Sequence, residues 1–347
     1  MKYLNLKSVV SIILMVGLFL GLIAVRNVNA ASDKPIKLRY GTPFHETFTF
    51  TRADKNFFKK IEKETDGRVT FEIFAGGTLI SFRESLDELK NRVADLAYVA
   101  VDTTPGFQLF KAQRSFYYGI PNTDVGHKIY SEVTEKFPEI EKEWTGVQIM
   151  ARVMMPAYQI LTVNKPIRTL DDLKGLKMKC TSQLVAPLKE LGVEGVNIPI
   201  SETYIALQKG IVDGLIIPQD TFKSFNLHEV IKYCTRLDYF LGAYPQRAFN
   251  LDALNSLPKD IQKIFMDNIE WWGKEVERLQ AIDENAGIEA ANKAGVKYIE
   301  FEPGELEKFH EVLTKVSQKE VKKLEDAGFP GKAVFNEIRT LVSKYSK

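Results

Sequence analysis

The chain has 347 residues, 45% hydrophobic and 27% charged, which suits a globular protein of about two domains and excludes a disordered or collagen-like one. Three of the 47 basic residues (Lys2, Lys7, Arg26) and none of the 45 acidic ones fall in 1–30, so the remainder is one charge negative, which argues against a general nucleic-acid binder. The two Cys, 180 and 234, are too few for a zinc ribbon, an iron–sulfur centre or a disulfide scaffold.

Residues 1–30 read as an export signal. Lys2 and Lys7 precede an apolar run over 9–25, and Val28-Asn29-Ala30 offers a cleavage site before Ala31. A retained anchor is the alternative. No Cys lies near the run to take a lipid, and no later segment reaches 18 apolar residues. The expected compartment is the periplasm.

From residue 36 the chain alternates strands and helices. A strand over 36–40 is followed by a helix carrying Phe50, Phe57, Phe58 and Ile61 on one side, stopped by Asp66-Gly67. Then come a strand at 69–74, a helix at 81–93 and a strand at 95–99. The pattern recurs with strands at 176–180, 196–199 and 212–216 and helices at 183–191 and 202–209. Two βαβαβ blocks predict two parallel sheets, hence two lobes of α/β class.

Extended stretches at 147–153, 158–163 and 230–240 are expected to cross between the lobes. Apolar residues from Ile261 to Leu279 recur at helical spacing. If that helix ran over 258–294, its 37 residues would span about 55 Å and lie along both lobes. Trp271 and Trp272 read as its packing residues. Two further helices are expected around Gly328-Phe329-Pro330-Gly331, with Lys/Glu alternation on a solvated face. The division expected is lobe I over 31–154 and 244–283, and lobe II over 155–243 and 284–347. Cys180 and Cys234 fall in apolar strands, as buried thiols or as a disulfide.

Signatures of chemistry are missing. None of the four His (45, 127, 228, 310) belongs to H-E-x-x-H, and the chain lacks G-x-S-x-G, G-x-G-x-x-G, a P-loop and a calcium-loop spacing. No metal, cofactor or catalytic residue is assigned. A two-lobed exported protein without visible chemistry fits a receptor that closes on a small solute.

Residues 170–179, Leu-Asp-Asp-Leu-Lys-Gly-Leu-Lys-Met-Lys, and 200–214, Ile-Ser-Glu-Thr-Tyr-Ile-Ala-Leu-Gln-Lys-Gly-Ile-Val-Asp-Gly, carry a family resemblance. They are similar to "D-L-K-G-L-K-I-R" and "F-S-E-V-Y-x-A-L-Q-x-G-V-V-D-G" of the solute receptors of tripartite ATP-independent periplasmic (TRAP) transporters, the DctP type. Gly76-Gly77-Thr78-Leu79, Asn164-Lys165-Pro166 and Ser256-Leu257-Pro258 add weaker matches. The resemblance implies the two-lobed periplasmic binding protein fold with crossing strands and a long spanning helix. It also implies a cleft that closes on an organic acid and delivery to a membrane permease driven by an ion gradient.

The resemblance also marks where this chain departs. The family's carboxylate-holding Arg is here Lys179, a point charge without the planar fork. An upstream Arg of some members falls at Gln159, the family's Asn at Ile217, and its aromatic at Ile200. In one reading Lys179 holds an anion whose apolar body packs on Ile200 and Ile217. In another the solute is neutral, and in a third Lys179 pairs with Glu202. Presentation of the ligand to a sensor protein is the alternative to transport. Strand ends add His45, Gly77, Tyr98, Thr181 and Gln219 to the candidate ligand-binding residues. Tyr158, on the expected crossing strand beside Gln159, joins them as a cleft wall or packs inside.

Overall fold

The computed structural model describes residues 34–101, 104–242 and 246–346, the side chains of Ser115 and Gln246 excepted. The expected export signal lies outside them. The first sheet holds β1 (Ile36–Gly41), β2 (Val69–Phe74), β3 (Leu96–Val99), β4 (Val147–Ala151) and, from later in the chain, β10 (Gln246–Asn250). Its order is β2-β1-β3-β10-β4. The second holds β5 (Tyr158–Thr162), β6 (Lys177–Lys179), β7 (Glu194–Val196), β8 (Gly214–Pro218), β9 (Tyr233–Tyr239) and β11 (Lys297–Ile299), in the order β11-β9-β5-β8-β6-β7. As the two blocks predict, β1, β2 and β3 are parallel, and so are β6, β7 and β8. Strand β10, not expected from sequence, runs antiparallel between β3 and β4.

Helices α1 (Thr49–Glu64), α2 (Ser85–Lys90), α3 (Gln108–Ser115), α4 (Thr123–Lys136) and α5 (Glu139–Lys142) belong to the first half. Helices α6 (Ser182–Glu190), α7 (Ile200–Gln208) and α8 (Thr221–Ser224) follow in the second. The chain finishes with α9 (Leu251–Asn255), α10 (Lys259–Asp267), α11 (Ile269–Lys293), α12 (Glu305–Asp326) and α13 (Gly331–Tyr345). Helix α1 buries Phe50, Ala53, Phe57, Phe58 and Ile61, one stripe at helical spacing. Each of its Phe side chains contributes about 1.5–3 kcal/mol by burial. It ends where Asp66 (φ 50°) and Gly67 (φ 75°) turn left-handed.

Three expectations change. The helix predicted over 81–93 is only Ser85–Lys90, because the Glu88 carboxylate accepts from the Ser81 N–H (2.7 Å) and hydroxyl (3.2 Å) and folds 81–84 into a turn. The single long helix is two, α10 and α11, parted at Asn268. There the Asn268 side-chain amide donates to the Ile264 carbonyl (2.8 Å) and to Glu64 (2.6 Å), competing with the backbone ladder. Helix α11 still has 25 residues, about 37 Å. The chain end also behaves differently from the expected division, since α13 packs on α3 and α4 beside the first sheet. Its Val334, Phe335, Ile338 and Leu341 share a cluster with Ile129 and Val133.

The crossing strands are strand pairs. Strand β4 passes through 152–157 into β5, and β9, ending at Tyr239 in the second sheet, is followed in the chain by β10, starting at Gln246 in the first. Helix α11 is the third link: it packs on α1 of the first lobe and on α8 of the second. It comes closest through glycines. A Cβ on Gly273 would lie 2.7 Å from the Arg152 carbonyl oxygen, and one on Gly287 would lie 2.2 Å from that of Gln219. Trp272 packs as expected, stacked on Phe57 at 3.9 Å. Cys180 and Cys234 are free and buried. Cys180 directly follows β6 and Cys234 is the second residue of β9, strands three spacings or about 14 Å apart, too far to bond. Burial raises the two thiols to about 11 and about 12.

Candidate functional site

Both sheets turn the same ends toward the linking segments. In the second, Tyr158 pairs with Pro218 and Tyr239 where the chain leaves for the first lobe. In the first, Arg247 pairs with Tyr98 and Ala151. The parallel strands β1, β3, β6 and β8 therefore finish at this inter-sheet end, where open α/β sheets receive ligands.

Lys179 is the last residue of β6 and only 7% exposed. Among the described residues it has no hydrogen-bond or ion-pair partner. Burial holds its ammonium below the usual lysine range. The pair with Glu202 does not form; Glu202 is exposed on α7. Two residues on, Thr181 is the N-cap of α6, yet its side chain caps no amide. Its hydroxyl is buried without a partner among the described residues. An unpaired cation, an unpaired hydroxyl and a helix N-terminus thus follow one another along the chain. Each favours a negative group.

The other expected residues divide. Ile217 is buried with Leu161, Phe222 and Ile231, and Ile200 packs half-buried against the same cluster. Tyr158 is buried edge-on to Tyr239 at 6.4 Å. Gln159 is occupied within the protein. Its Oε1 accepts from the Leu237 (2.7 Å) and Asp238 (3.1 Å) backbone N–H groups and its Nε2 donates to Asp238 Oδ1 (2.8 Å). That amide fills the register shift between β5 and β9, where Asp238 takes φ 47°. Gln159 and Gln219 share a recess of about 270 Å³ with Cys234, Arg236, Asp238 and Tyr298, apart from Lys179.

Gly77 has its N–H committed to the Thr42 carbonyl (3.1 Å), so it offers no backbone donor to a ligand. His45 is exposed, held by Thr47, and its ring lies 5.9 Å from Phe225 of the second lobe. Tyr98 is fully buried among Phe44, Phe50 and Phe82.

Sequence reasoning missed two groups. Arg247 and Asp54 form an ion pair (Nε to Oδ1, 2.7 Å) at 0% and 1% side-chain exposure. Asp54 also accepts from Trp272 Nε1 (2.8 Å) and from the Tyr40 hydroxyl. The only sequence signal was an Arg inside the short segment Gln-Arg-Ala-Phe-Asn. The second group is Asp220, after β8. It is buried with Oδ1 unpartnered among the described residues, and burial together with Glu284 and Asp283 on α11 raises its carboxyl to about 7. Among the described residues no group of His, Cys, Asp and Glu is placed to hold a metal ion, and no helix is long and apolar enough to cross a membrane.

This architecture recurs in known proteins. The chain is 24% identical over 287 residues to a solute-binding protein of Albidiferax ferrireducens, covering 78% of this chain and 80% of that one. The fold matches a TRAP solute-binding protein from Rhodoferax ferrireducens T118 in complex with copurified benzoate (TM-score 0.80, 24% identity, 90% of this chain and 98% of that one). It matches as well a TRAP periplasmic solute-binding protein from Sulfitobacter sp. NAS-14.1 with bound β-D-galacturonate (TM-score 0.75, 17% identity, 88% and 99%). The family model for bacterial extracellular solute-binding proteins, family 7, matches residues 42–324. A two-lobed α/β chain matched over that length belongs to this DctP family of TRAP solute-binding proteins, which bind their solutes and do not turn them over.

Proposed function

We propose that this protein captures a small organic acid with an apolar body at the inter-sheet end of its two lobes and delivers it to a TRAP membrane permease. The observation that carries this reading is Lys179, a buried ammonium with no counter-ion among the described residues. An unpaired buried cation is costly, and a ligand carboxylate relieves that cost. The Thr181 hydroxyl and the first amides of α6 supply donors beside it. Ile200, half-buried at the start of α7, offers an aliphatic contact, while Ile217 belongs to the core behind it. Benzoate and galacturonate, held by two proteins of this fold, are both carboxylates.

Closure then follows from differential affinity: the closed form gains only as much as the solute binds it better than the open one. Residues 1–30 serve as the export signal in this reading, placing the receptor in the periplasm. Native mass spectrometry of the purified protein, with release and identification of the co-purified compound, tests it. A carboxylic acid is expected; a neutral compound or an amine contradicts the reading.

A further inference from the structure

Arg247 lies in β10, outside every motif that carried the resemblance. Its guanidinium is wholly buried, and its Nε is used on Asp54. Among the described residues Nη1 and Nη2 are both buried with no hydrogen-bond partner. Buried donors are almost always satisfied, so two on one group mark a place where a partner is missing. Asp54 does not supply it, because its carboxylate already takes Arg247, Trp272 and Tyr40. The outer Nη1–Nη2 edge presents two parallel donors, the spacing that matches a carboxylate.

The surroundings are aromatic. The guanidinium centre sits 5.0 Å from the Phe50 ring centroid. Tyr98, paired with Arg247 across the sheet, stacks on Phe50 at 6.3 Å and 16°. Phe44 meets Tyr98 edge-on at 4.9 Å, and Phe82 lies 5.9 Å from Tyr98 while remaining 44% exposed. The wall therefore runs from the buried cation out to solvent. Such faces suit a flat ring and offer a sugar acid's hydroxyls little to bond.

We infer that Arg247 is the carboxylate-binding residue of the first lobe, and that with Phe44, Phe50, Phe82 and Tyr98 it selects an aromatic monocarboxylate. This rests on the organic-acid reading above and narrows it. The charges balance: Asp54 offsets Arg247, and Lys179 from the other lobe offsets the ligand. Arg247 does what the planar fork does elsewhere in the family, from a different strand and the opposite lobe.

The test is calorimetry of the wild-type protein and of Arg247→Lys with benzoate, 4-bromobenzoate and galacturonate, beside a crystal structure with 4-bromobenzoate. The expected results are arenecarboxylate binding that falls ten-fold or more in Arg247→Lys, and a carboxylate about 3 Å from Nη1 and Nη2 with bromine among the aromatic rings. Unchanged affinity in Arg247→Lys, or water on the guanidinium with the carboxylate elsewhere, overturns the inference. Should the variant fail to fold, the wild-type crystal decides. Galacturonate binding without arenecarboxylate binding rejects this inference and leaves the organic-acid reading intact; binding of no carboxylate rejects both.

Discussion

A largely buried lysine ammonium with no counter-ion beside it destabilises the free protein and favours any anion that reaches it. Lys179, 7% exposed and without an ion-pair partner among the described residues, is in that position. Lys179→Ala should weaken solute binding at least ten-fold, about 1.4 kcal/mol or more. Lys179→Met should raise the melting temperature of the ligand-free protein while lowering affinity. Paired melting curves with and without solute check both, and a variant melting below wild type without ligand would show Lys179 paired in solution. Ile217 behaves differently. Its place beside Leu161, Phe222 and Ile231 makes Ile217→Asn a buried amide in an apolar cluster, costing about 1–3 kcal/mol. Urea denaturation should show the loss, and an unchanged midpoint would put Ile217 at a wetted surface.

Helix α11 ties the lobes together through two glycine contacts. Ala at 287 would drive a methyl group into the Gln219 carbonyl, and Ala at 273 would do so less severely at Arg152. Gly287→Ala should therefore cost about 1–3 kcal/mol, more than Gly273→Ala, in denaturant midpoints; the reverse order would contradict the contact. Asp220 lies at the same α8–α11 interface, facing Asp283, which is bonded to Arg52 and Thr49 of α1, and Glu284. Its native carboxyl sits at about 7, above the 3.8 of an unperturbed Asp. Between those values the native state keeps a proton that the unfolded chain releases, so its contribution to stability is whole below about 4 and is lost as pH climbs through 7. At about 1.4 kcal/mol per unit the loss amounts to a few kcal/mol. Asp220→Asn should flatten that decline between pH 5 and 8; a decline of unchanged slope would assign it to other groups.

At the scale of the whole molecule, the sequence was most legible where a local pattern decides the outcome. The two βαβαβ blocks and the terminal helix pair around Gly328 needed only periodicity and spacing, and the family came from the resemblance of residues 170–179 and 200–214. It was least legible where partners distant in the chain decide. Gln159 became a bulge-filling amide because Asp238, 79 residues away, turned left-handed opposite it. Arg247 is buried because Asp54, 193 residues away, faces it from α1. Asn268 breaks a helix that apolar periodicity alone would continue, through a side chain that bonds Glu64 of another helix. Each of these pairings fixes structure inside one lobe; the lobes themselves are joined by the β4–β5 and β9–β10 connections and by α11.

The most direct measurement is calorimetric titration of the purified protein with the acid released from it, beside the primary amide of that acid, which has nearly the same shape and no charge. The acid should bind at least a hundred-fold more tightly than the amide in the wild type, and Lys179→Ala should erase most of that difference. An amide that binds as tightly as its acid would contradict a site built around negative charge.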